Sequence, residues 1–556
     1  MEKSFLDYIK NGILNNWEKP ALTDINGQTF RYSDLAREIT KIQLLLSAFG
    51  IKKSDRVALC GRNSSHWAIS FFGSISYGAV PTTILQDFNA ESIYNIVNHS
   101  EAKTLFVAEA VWKRLDLAQM PALTSIVLLE DFSIIKTNNQ AIAENGFDAE
   151  KALAEKFPAG LTKEDIYFHK ESPEELALLN YTSGTTSNPK GVMLPYRSLW
   201  SNTRFAVDNI PFVKAGDGLV NMLPMAHMYG LAFEILLSVA KGCHVYFISK
   251  PPSPNVIIDA FAKAKPRLVI AVPLIIEKIV RNVVFPQLEK QPVRTLLKIP
   301  GVRSIMYRKI KNKMMDTFGG NLVEVVIGGA ALSKEVGDFL SKIKFPYTVG
   351  YGMTECGPLV TYEYWASYKA GSCGRAVDRL EIKVDSPDPA HTAGEIFVRG
   401  HNVMLGYLKN EEATRAVLSA DGWLNTGDLG VIDKDGFVFI RGRSKTMILG
   451  ASGQNIYPEE IEDVLNGSPI VAESLVIESE GKLVALVYPD QDYLKTNRIQ
   501  QSQLPQLLDE EIKVLNKRLP SYSRIAKVRI RTEEFEKTPK KSIKRFLYQE
   551  NIEKTN

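Results

Sequence analysis

The most informative stretch of the chain reads YTSGTTSNPKG, from Tyr181 to Gly191, and follows an apolar run at Leu176–Leu179. It gathers hydroxyl side chains, glycines and the single Lys190 into one loop. Such a loop can wrap a polyphosphate, because backbone N–H groups and hydroxyls donate hydrogen bonds and the lysine supplies a positive charge. The same composition is also typical of an ordinary surface loop. A Walker A loop is excluded, since Gly191 follows the lysine where that motif requires Ser or Thr.

The order of strand, turn and helix recurs further along the chain. Leu268–Val272 is an apolar run of strand length, Pro273 follows it, and Leu274–Val280 has helical periodicity. Val323–Ile327 ends in two glycines, and a second helical stretch is predicted from Ala330. Repeated units of this kind predict an α/β fold, with parallel sheets covered by helices. In such sheets ligands bind at the carboxyl ends of the strands.

The pattern changes at about residue 380, where short strands between glycines begin, as at Gly394–Gly400 and Gly436–Arg441. After Arg443 a smaller α+β segment is predicted, with helices and strands at Pro458–Leu465, Ser474–Ile477, Leu483–Tyr488 and Leu504–Leu519. We therefore predict a large N-terminal domain with several subdomains at residues 1–441 and a small mobile C-terminal domain at residues 442–556.

Composition excludes several classes of protein. The chain has 556 residues, 45% apolar and 23% charged, and its net charge of +4 is too small for this length to indicate a nucleic-acid partner. Its four cysteines show no CxxC pairing, which fits a reducing compartment. The start, MEKSFLDY, has no features of a secretory signal. The most apolar runs, Trp67–Leu85 and Leu231–Phe247, read as buried core rather than membrane spans. We expect a cytoplasmic protein.

The glycine-rich loop and six further segments occur in the order typical of one superfamily. The chain resembles the adenylate-forming enzymes, which comprise acyl-CoA synthetases, firefly-type luciferases and the adenylation domains of peptide synthetases, and it is most similar to bacterial long-chain fatty acid–CoA ligases. The segments that carry the resemblance are LPMAHMYG at 223–230, GGAAL at 328–332, YGMTE at 351–355, WLNTGDLG at 423–430, RGRSK at 441–445 and GQNIYPEEIE at 453–462.

The resemblance implies that a carboxylate attacks the α-phosphate of ATP, giving an acyl-adenylate and pyrophosphate. It assigns Glu355 to Mg²⁺, Thr354 to the α-phosphate and Tyr351 to the adenine, with Asp428 on the ribose diol and Arg443 beside it. The β- and γ-phosphates would lie against Thr182, Ser183, Gly184, Thr185, Thr186 and Lys190, and the adenine side would include Gly329 and Gly352. Read singly, such residues are also typical of loop carboxylates, core aromatics and turn caps.

The acid and its acceptor are less strongly indicated. By resemblance His227 lies beside the substrate carboxylate, and an acyl pocket would be formed by Met225, Met228, Tyr229 and Val272, which could equally be plain core. VPLIIEKI, from Val272, resembles a segment of long-chain ligases but carries Leu274 where those often have Arg. The implied acid is a fatty acid and the implied acceptor is coenzyme A. An aryl or medium-chain acid, or an acyl carrier protein as acceptor, stays open.

Two further features follow from the resemblance and the charge pattern. Lys445 occupies the position of the hinge about which the C-terminal domain rotates between the two half-reactions. The basic stretch from Arg294 to Lys313, with apolar residues interleaved, predicts either a peripheral contact with an anionic membrane or a solvated helix face.

One departure from the family pattern concerns the lysine that bridges the carboxylate and the α-phosphate. Ser542 stands at its position in the stretch EKTPKKSIKR, with Lys541 one residue away. We expect Lys541 to supply the charge. The alternatives are slower adenylation without a bridge, an enzyme that mainly runs the second half-reaction, and a non-catalytic lipid or nucleotide sensor on the same fold.

Overall fold

The structure, a computed structural model, describes residues 4–182, 189–248, 253–291, 293–449, 455–479, 481–517, 519, 523–538 and 542–549. Within these ranges the strands form seven sheets. The predicted α/β architecture is confirmed for the large N-terminal part, and a small α+β unit follows it.

The largest sheet, called the central sheet below, supplies the phosphate side of the candidate site. Its eight strands lie in the order Gly406–Tyr407, Lys190–Pro195, Leu176–Thr182, Val80–Ile84, Arg56–Cys60, Thr104–Val107, Ser125–Leu128 and Ile134–Thr137. The middle five pair in parallel and the outer strands pair antiparallel. The longer helices between these strands are Tyr32–Ala48, Ser65–Tyr77, Ala90–Ser100 and Tyr196–Asn209.

The apolar run from Trp67 to Leu85 forms a helix and a central strand. The helix Ser65–Tyr77 is capped by the Ser64 hydroxyl, which accepts a hydrogen bond from the Trp67 N–H. The strand Val80–Ile84 is buried at every position, as expected for a parallel strand covered on both faces. The run is therefore core, as predicted, and no helix of the residues described here is long and apolar enough to cross a membrane.

Two smaller sheets pack beside the central one. One has the order Gly218–Asn221, His244–Phe247, Pro20–Asp24 and Thr29–Arg31, and the other is a parallel sheet of Leu268–Ala271, Glu324–Ile327 and Tyr347–Val349. Their longer helices are Pro254–Ala264, Pro273–Ile279, Pro300–Thr317 and Lys334–Lys342. The last of these begins at Lys334 rather than at Ala330 as predicted, because Gly329 has a φ of +84° and turns the chain away from a helical path.

The antiparallel region begins before residue 380. Its strands are Tyr351–Gly352, Leu359–Tyr362 and Arg375–Ala376, followed by a sheet of Leu380–Asp385, Gly394–Gly400, Leu424–Ile432 and Val438–Arg443. The final strand ends at Arg443, so the domain boundary predicted at 441–442 falls inside it.

The C-terminal unit has an apolar core of its own. Its main elements are Ile448–Leu449, Asn455–Ile456, Pro458–Leu465, Val471–Ser479, Lys482–Pro489, Leu504–Asn516 and Ile525–Ile530. The remaining helices and helical turns in the described part of the chain are Phe5–Asn15, Glu109–Trp112, Leu117–Gln119, Gln140–Asn145, Ala149–Lys156, Met228–Gly230, Leu231–Leu236, Leu237–Lys241, Val280–Val284, Phe285–Glu289, Val293–Leu296, Thr354–Cys356, Glu411–Arg415, Gln491–Thr496, Gln501–Gln503 and Phe546–Gln549.

A buried carboxyl in the parallel sheet makes stability depend on pH. Glu324 is fully buried and accepts hydrogen bonds from the Tyr362 hydroxyl at 2.6 Å and the Trp365 N–H at 2.7 Å. Burial raises its pKa to about 7. A carboxyl whose pKa is higher in the folded state contributes stability at low pH and loses that contribution as pH rises through the folded value.

We therefore expect Glu324→Gln to flatten the pH dependence of unfolding between about pH 4.5 and pH 7. Wild type should lose up to roughly 3 kcal/mol relative to the variant across that window. The measurement is the melting temperature of both proteins from pH 4.5 to pH 8. Parallel pH curves for the two proteins would contradict the assignment.

Candidate active site

The strands of the central sheet bring Thr182 and Lys190 together. They are the last and first residues of two antiparallel strands and lie opposite each other in the register. The Lys190 ammonium lies over the Tyr407 ring, with Nζ 4.7 Å from the ring centroid. The loop that joins the two strands contains the other predicted phosphate ligands, which lie outside the described residues: Ser183, Gly184, Thr185 and Thr186.

The predicted magnesium ligand lies close to Lys190, because both residues contact Tyr407. Glu355 is in the helical turn Thr354–Cys356, where Thr354 is buried and Glu355 half-buried. The Tyr407 hydroxyl donates a hydrogen bond to Glu355 Oε1 at 2.9 Å. Burial and the neighbouring carboxylate raise the pKa of Tyr407, so the hydroxyl stays protonated as the donor.

The donor set around Glu355 fits magnesium held with a nucleotide. Among the described residues no group of three or more His, Cys, Asp or Glu side chains is placed to hold a metal ion. Mg²⁺ usually takes one or two carboxylates and completes its shell with substrate phosphates and water. Glu355, a single carboxylate that shares Tyr407 with the described Lys190, fits that arrangement.

The predicted nucleoside side of the site consists of three residues whose side chains contact one another in series. Tyr351 donates its hydroxyl to Asp428 Oδ2 at 2.5 Å, and Arg443 Nε lies 3.1 Å from Asp428 Oδ1. Asp428 and Arg443 are opposite each other on paired strands, Asp428 being buried and Arg443 largely exposed. Burial raises the pKa of Asp428 and the Arg443 charge opposes that rise. Each carboxylate oxygen keeps a second lone pair for a ribose hydroxyl.

The segment from Tyr351 to Glu355 links the two sides. Tyr351 and Gly352 form a short strand, and the turn that carries Glu355 follows directly. The predicted role of Tyr351 was contact with the adenine. The structure adds a hydroxyl bond to the predicted ribose ligand, while Gly352 is exposed.

The predicted acyl residues meet the glycine turn. The Tyr229 hydroxyl donates to the Val326 carbonyl oxygen at 3.0 Å, two residues before Gly328. Val272 Cγ1 lies 3.8 Å from where a Cβ would stand on Gly329. Tyr229, Val272 and Gly329 therefore share one region, at the carboxyl ends of the strands of the smaller parallel sheet.

The acyl-side segment, residues 222–227, is anchored by its backbone. On one side the buried Glu234 carboxylate accepts hydrogen bonds from the N–H groups of Met222 at 3.2 Å and Leu223 at 3.1 Å. It also accepts from Asn221 Nδ2 at 2.6 Å. Burial raises the pKa of Glu234, and these donors oppose the rise. Glu234 belongs to the π-helical segment Leu231–Leu236, a geometry frequent at functional sites.

Two asparagines anchor the same segment from other directions. Asn63 donates to the Leu223 carbonyl oxygen at 2.6 Å and accepts from the Met225 N–H at 2.9 Å. Asn180 donates to the Ala226 carbonyl oxygen at 2.7 Å. The path of the backbone through Met225 and Ala226 is therefore fixed before any substrate arrives.

The side chains of the segment and of Met228, which follows it, differ in burial. Met225 and Met228 are buried, whereas His227 is half-buried and precedes the short helix Met228–Gly230. The His227 N–H donates to the Pro224 carbonyl oxygen at 2.9 Å, which closes the turn.

The predicted hinge residue, Lys445, lies between two residues that hydrogen-bond to different parts of the chain. Ser444 donates its hydroxyl to Glu395 Oε1 at 2.7 Å in the antiparallel region, and Thr446 donates to Glu459 Oε1 at 2.6 Å in the C-terminal helix. Lys445 between them is exposed.

The described basic side chains near the C-terminus form ion pairs with carboxylates of the C-terminal unit. Lys544 Nζ lies 3.4 Å from Glu536, and Arg545 pairs with Glu462. Ser542 is exposed and pairs through its backbone with Thr538. Lys541 lies outside the described residues, so its predicted role stays a prediction.

Two protein-family models match the chain. A model of the AMP-binding enzyme family matches residues 13–408, and a model of the AMP-binding enzyme C-terminal domain matches residues 445–555. The chain belongs to the AMP-binding enzyme family. The first match ends one residue after the central-sheet strand of Tyr407, and the second begins at Lys445.

Curated relatives of this AMP-binding enzyme include ligases for different acids. It is 28% identical to the long-chain-fatty-acid–CoA ligase ACSBG2 of Gallus gallus over 79% of this chain, and the match spans only 60% of that protein. It is also 28% identical to 4-coumarate–CoA ligase 4 of Arabidopsis thaliana, over 90% of this chain and 83% of that one.

Solved structures of similar shape support the fold of the family. The anthranilate CoA ligase AuaEII, in complex with anthranoyl-AMP, has a TM-score of 0.78 at 19% identity over 98% of this chain and 96% of its own. ATP-bound MatB from Rhodopseudomonas palustris has a TM-score of 0.75 at 22% identity over 98% and 99%.

Proposed function

We propose that this AMP-binding enzyme is an acid–thiol ligase that activates a fatty acid with ATP and transfers the acyl group to coenzyme A. The observation that carries the proposal is the segment Tyr351–Glu355, because it joins the Asp428–Arg443 pair at one end to the Glu355–Tyr407–Lys190 group at the other. This order of groups along one segment supports a nucleoside at the first end and its polyphosphate at the second.

In the first half-reaction a carboxylate oxygen attacks the α-phosphorus, and the bond to pyrophosphate breaks. Lys190 and the loop hold the departing phosphates, Thr354 contacts the α-phosphate, and Asp428 and Arg443 fix the ribose. Mg²⁺, when bound through Glu355, would neutralise charge on the phosphates. In the second half-reaction the thiolate of coenzyme A attacks the acyl carbonyl, and AMP leaves.

A long-chain acid is favoured by the buried apolar side chains at the acyl side and by the long-chain ligases among the relatives. Each buried CH₂ contributes about 0.8 kcal/mol, so an apolar pocket gains affinity with chain length. The aryl ligases among the relatives keep an aromatic acid as the alternative.

The test is pyrophosphate release with octanoate, palmitate, oleate, benzoate and 4-coumarate, each with coenzyme A, with an acyl carrier protein and without an acceptor. We expect kcat/KM to be highest for palmitate or oleate and product to form with coenzyme A. Preference for an aromatic acid, or for the carrier protein, would replace the fatty acid or the acceptor in this proposal. No release with any acid would overturn it.

Location is proposed on two observations. The four cysteines are free thiols, three of them buried, which fits a cytoplasmic enzyme. The helix Pro300–Thr317 exposes Arg308 and Lys309 one turn from Ile305, whose exposed fraction is 58%. That surface fits a peripheral contact with anionic lipid.

Loss of the Asn63 anchor should affect the acid and not the nucleotide. We expect Asn63→Ala to raise the KM of the acid about 10-fold, because two hydrogen bonds to the acyl-side segment are lost, and to leave the Kd of ATP unchanged. Asn516 makes the same pair of backbone bonds, both at 2.9 Å, to Ile525 in the C-terminal unit. Asn516→Ala is therefore the matched control, and an equal effect of both variants on the KM of the acid would contradict the role.

A further inference from the structure

Tyr407 contacts both charged groups of the predicted metal and phosphate side. Its hydroxyl donates to Glu355 Oε1 at 2.9 Å, and its ring lies under the Lys190 ammonium, 4.7 Å from Nζ to the centroid. Its exposed fraction is only 8%, so both contacts are largely shielded from water. No motif in the sequence marks this residue.

The backbone holds Tyr407 firmly in this place. Its strand pairs with the strand that begins at Lys190, and Tyr407 is opposite Val192. The Tyr407 N–H donates to Thr414 Oγ1 at 2.9 Å. Gly406, with a φ of +141°, lets this threonine approach, because a Cβ there would lie 2.7 Å from Thr414 Cγ2.

The charges of Lys190 and Glu355 are available to a ligand only while the two side chains do not pair with each other. An ammonium and a carboxylate that reach each other form an ion pair, and each then loses part of its attraction for a ligand. In the described residues these two form no ion pair with one another; each contacts Tyr407 instead. A ring face attracts a cation through its quadrupole but carries no net charge, so the ammonium keeps its full charge for a phosphate.

We propose that Tyr407 is a positioning residue that keeps the Lys190 ammonium and the Glu355 carboxylate apart, each oriented for the magnesium–nucleotide complex. The inference rests on the proposed function, since it takes Glu355 as the magnesium ligand. Residues that orient a metal ligand typically change metal affinity 10- to 100-fold when they are altered.

Two substitutions separate the two contacts. Tyr407→Phe removes the hydroxyl bond to Glu355 and keeps the ring, whereas Tyr407→Leu removes both. ATP affinity is measured by calorimetry with and without Mg²⁺, in the absence of acid. We expect Tyr407→Phe to reduce the gain in ATP affinity that Mg²⁺ gives by about 10-fold and to leave the metal-free affinity unchanged. Tyr407→Leu should in addition weaken metal-free binding.

A double variant and a control make the test specific. If Tyr407→Leu lets Lys190 pair with Glu355, then adding Glu355→Gln should recover more metal-free ATP affinity in Tyr407→Leu than it adds to wild type, because only there does it also release Lys190; a merely structural defect predicts equal gains and no such recovery. Tyr347→Phe is the control, because its buried hydroxyl donates to the Gly337 carbonyl oxygen at 2.9 Å, away from this group. It should bind ATP as wild type does.

The outcomes are distinguishable. Wild-type magnesium dependence in Tyr407→Phe, or no recovery in the double variant, would overturn the inference and leave the proposed function standing. Wild-type protein whose ATP affinity does not change with Mg²⁺ would overturn the metal role of Glu355 and this inference with it. Tyr407→Phe retains the ring, so it carries the test even if Tyr407→Leu fails to fold.

Discussion

Glu355→Gln should lower the rate of acid-dependent pyrophosphate release about 10²- to 10³-fold, the usual effect of removing one group that stabilises transition-state charge. The glutamine retains an oxygen that can accept the Tyr407 hydroxyl, so the local packing is preserved and the charge alone is removed. The measurement is kcat at saturating ATP across a series of Mg²⁺ concentrations. We expect the Mg²⁺ concentration for half-maximal rate to rise as well.

The matched control for that variant is Glu381→Gln. Glu381 is an exposed carboxylate whose partner is Arg399, at 2.8 Å, on the neighbouring strand. Its replacement should leave the rate within about two-fold, because exposed ion pairs contribute little. A wild-type rate in Glu355→Gln at every Mg²⁺ concentration would remove Glu355 from the proposed mechanism.

Lys541→Ala should reduce adenylate formation at least ~10²-fold if this lysine supplies the charge that the family places at Ser542. The half-reactions separate the role: pyrophosphate release should fall, while transfer from a supplied acyl-adenylate to coenzyme A should be nearly unchanged. Reactions started with synthetic acyl-adenylate and coenzyme A, and quenched at set times, measure the second half-reaction alone.

Lys544→Ala is the control for Lys541, because Lys544 is close in sequence and its ammonium already lies near Glu536. It should leave both half-reactions within about two-fold. Equal pyrophosphate release in wild type and Lys541→Ala would exclude the assignment. If pyrophosphate release falls in Lys540→Ala and not in Lys541→Ala, the role belongs to Lys540.

Patterns within a short stretch of sequence predicted the elements well. The strand at Leu268 and the helix at Pro458–Leu465 occur as expected, because continuous apolar runs and helical periodicity are local properties. The helix predicted from Ala330 begins late, since the left-handed Gly329 directs the chain elsewhere first. The C-terminal strands extend further than predicted, because pairing between the two strands continues beyond the apolar runs at both ends.

Contacts between distant segments were not predictable in the same way. Tyr407 reaches Glu355 and Lys190 only because its two-residue strand joins the edge of the central sheet, and no local pattern indicates that pairing. The sequence around Asn63 likewise contains no pattern that indicates its hydrogen bonds to Leu223 and Met225. Glu234 did carry a signal, since a single carboxylate in a long apolar run must be hydrogen-bonded if it is buried.

The anchoring of residues 222–227 bears on how substrate range evolves in such an enzyme. Asn63, Asn180 and Glu234 all hydrogen-bond to main-chain atoms. The path of the backbone therefore does not depend on which side chains are present at positions 225 and 228. On the proposed function, in which Met225 and Met228 line the acyl pocket, exchanging them should alter the volume and shape offered to the acid without displacing the nucleotide. Laboratory selection for a new acid should therefore accumulate changes at these two positions while the three polar anchors stay as they are.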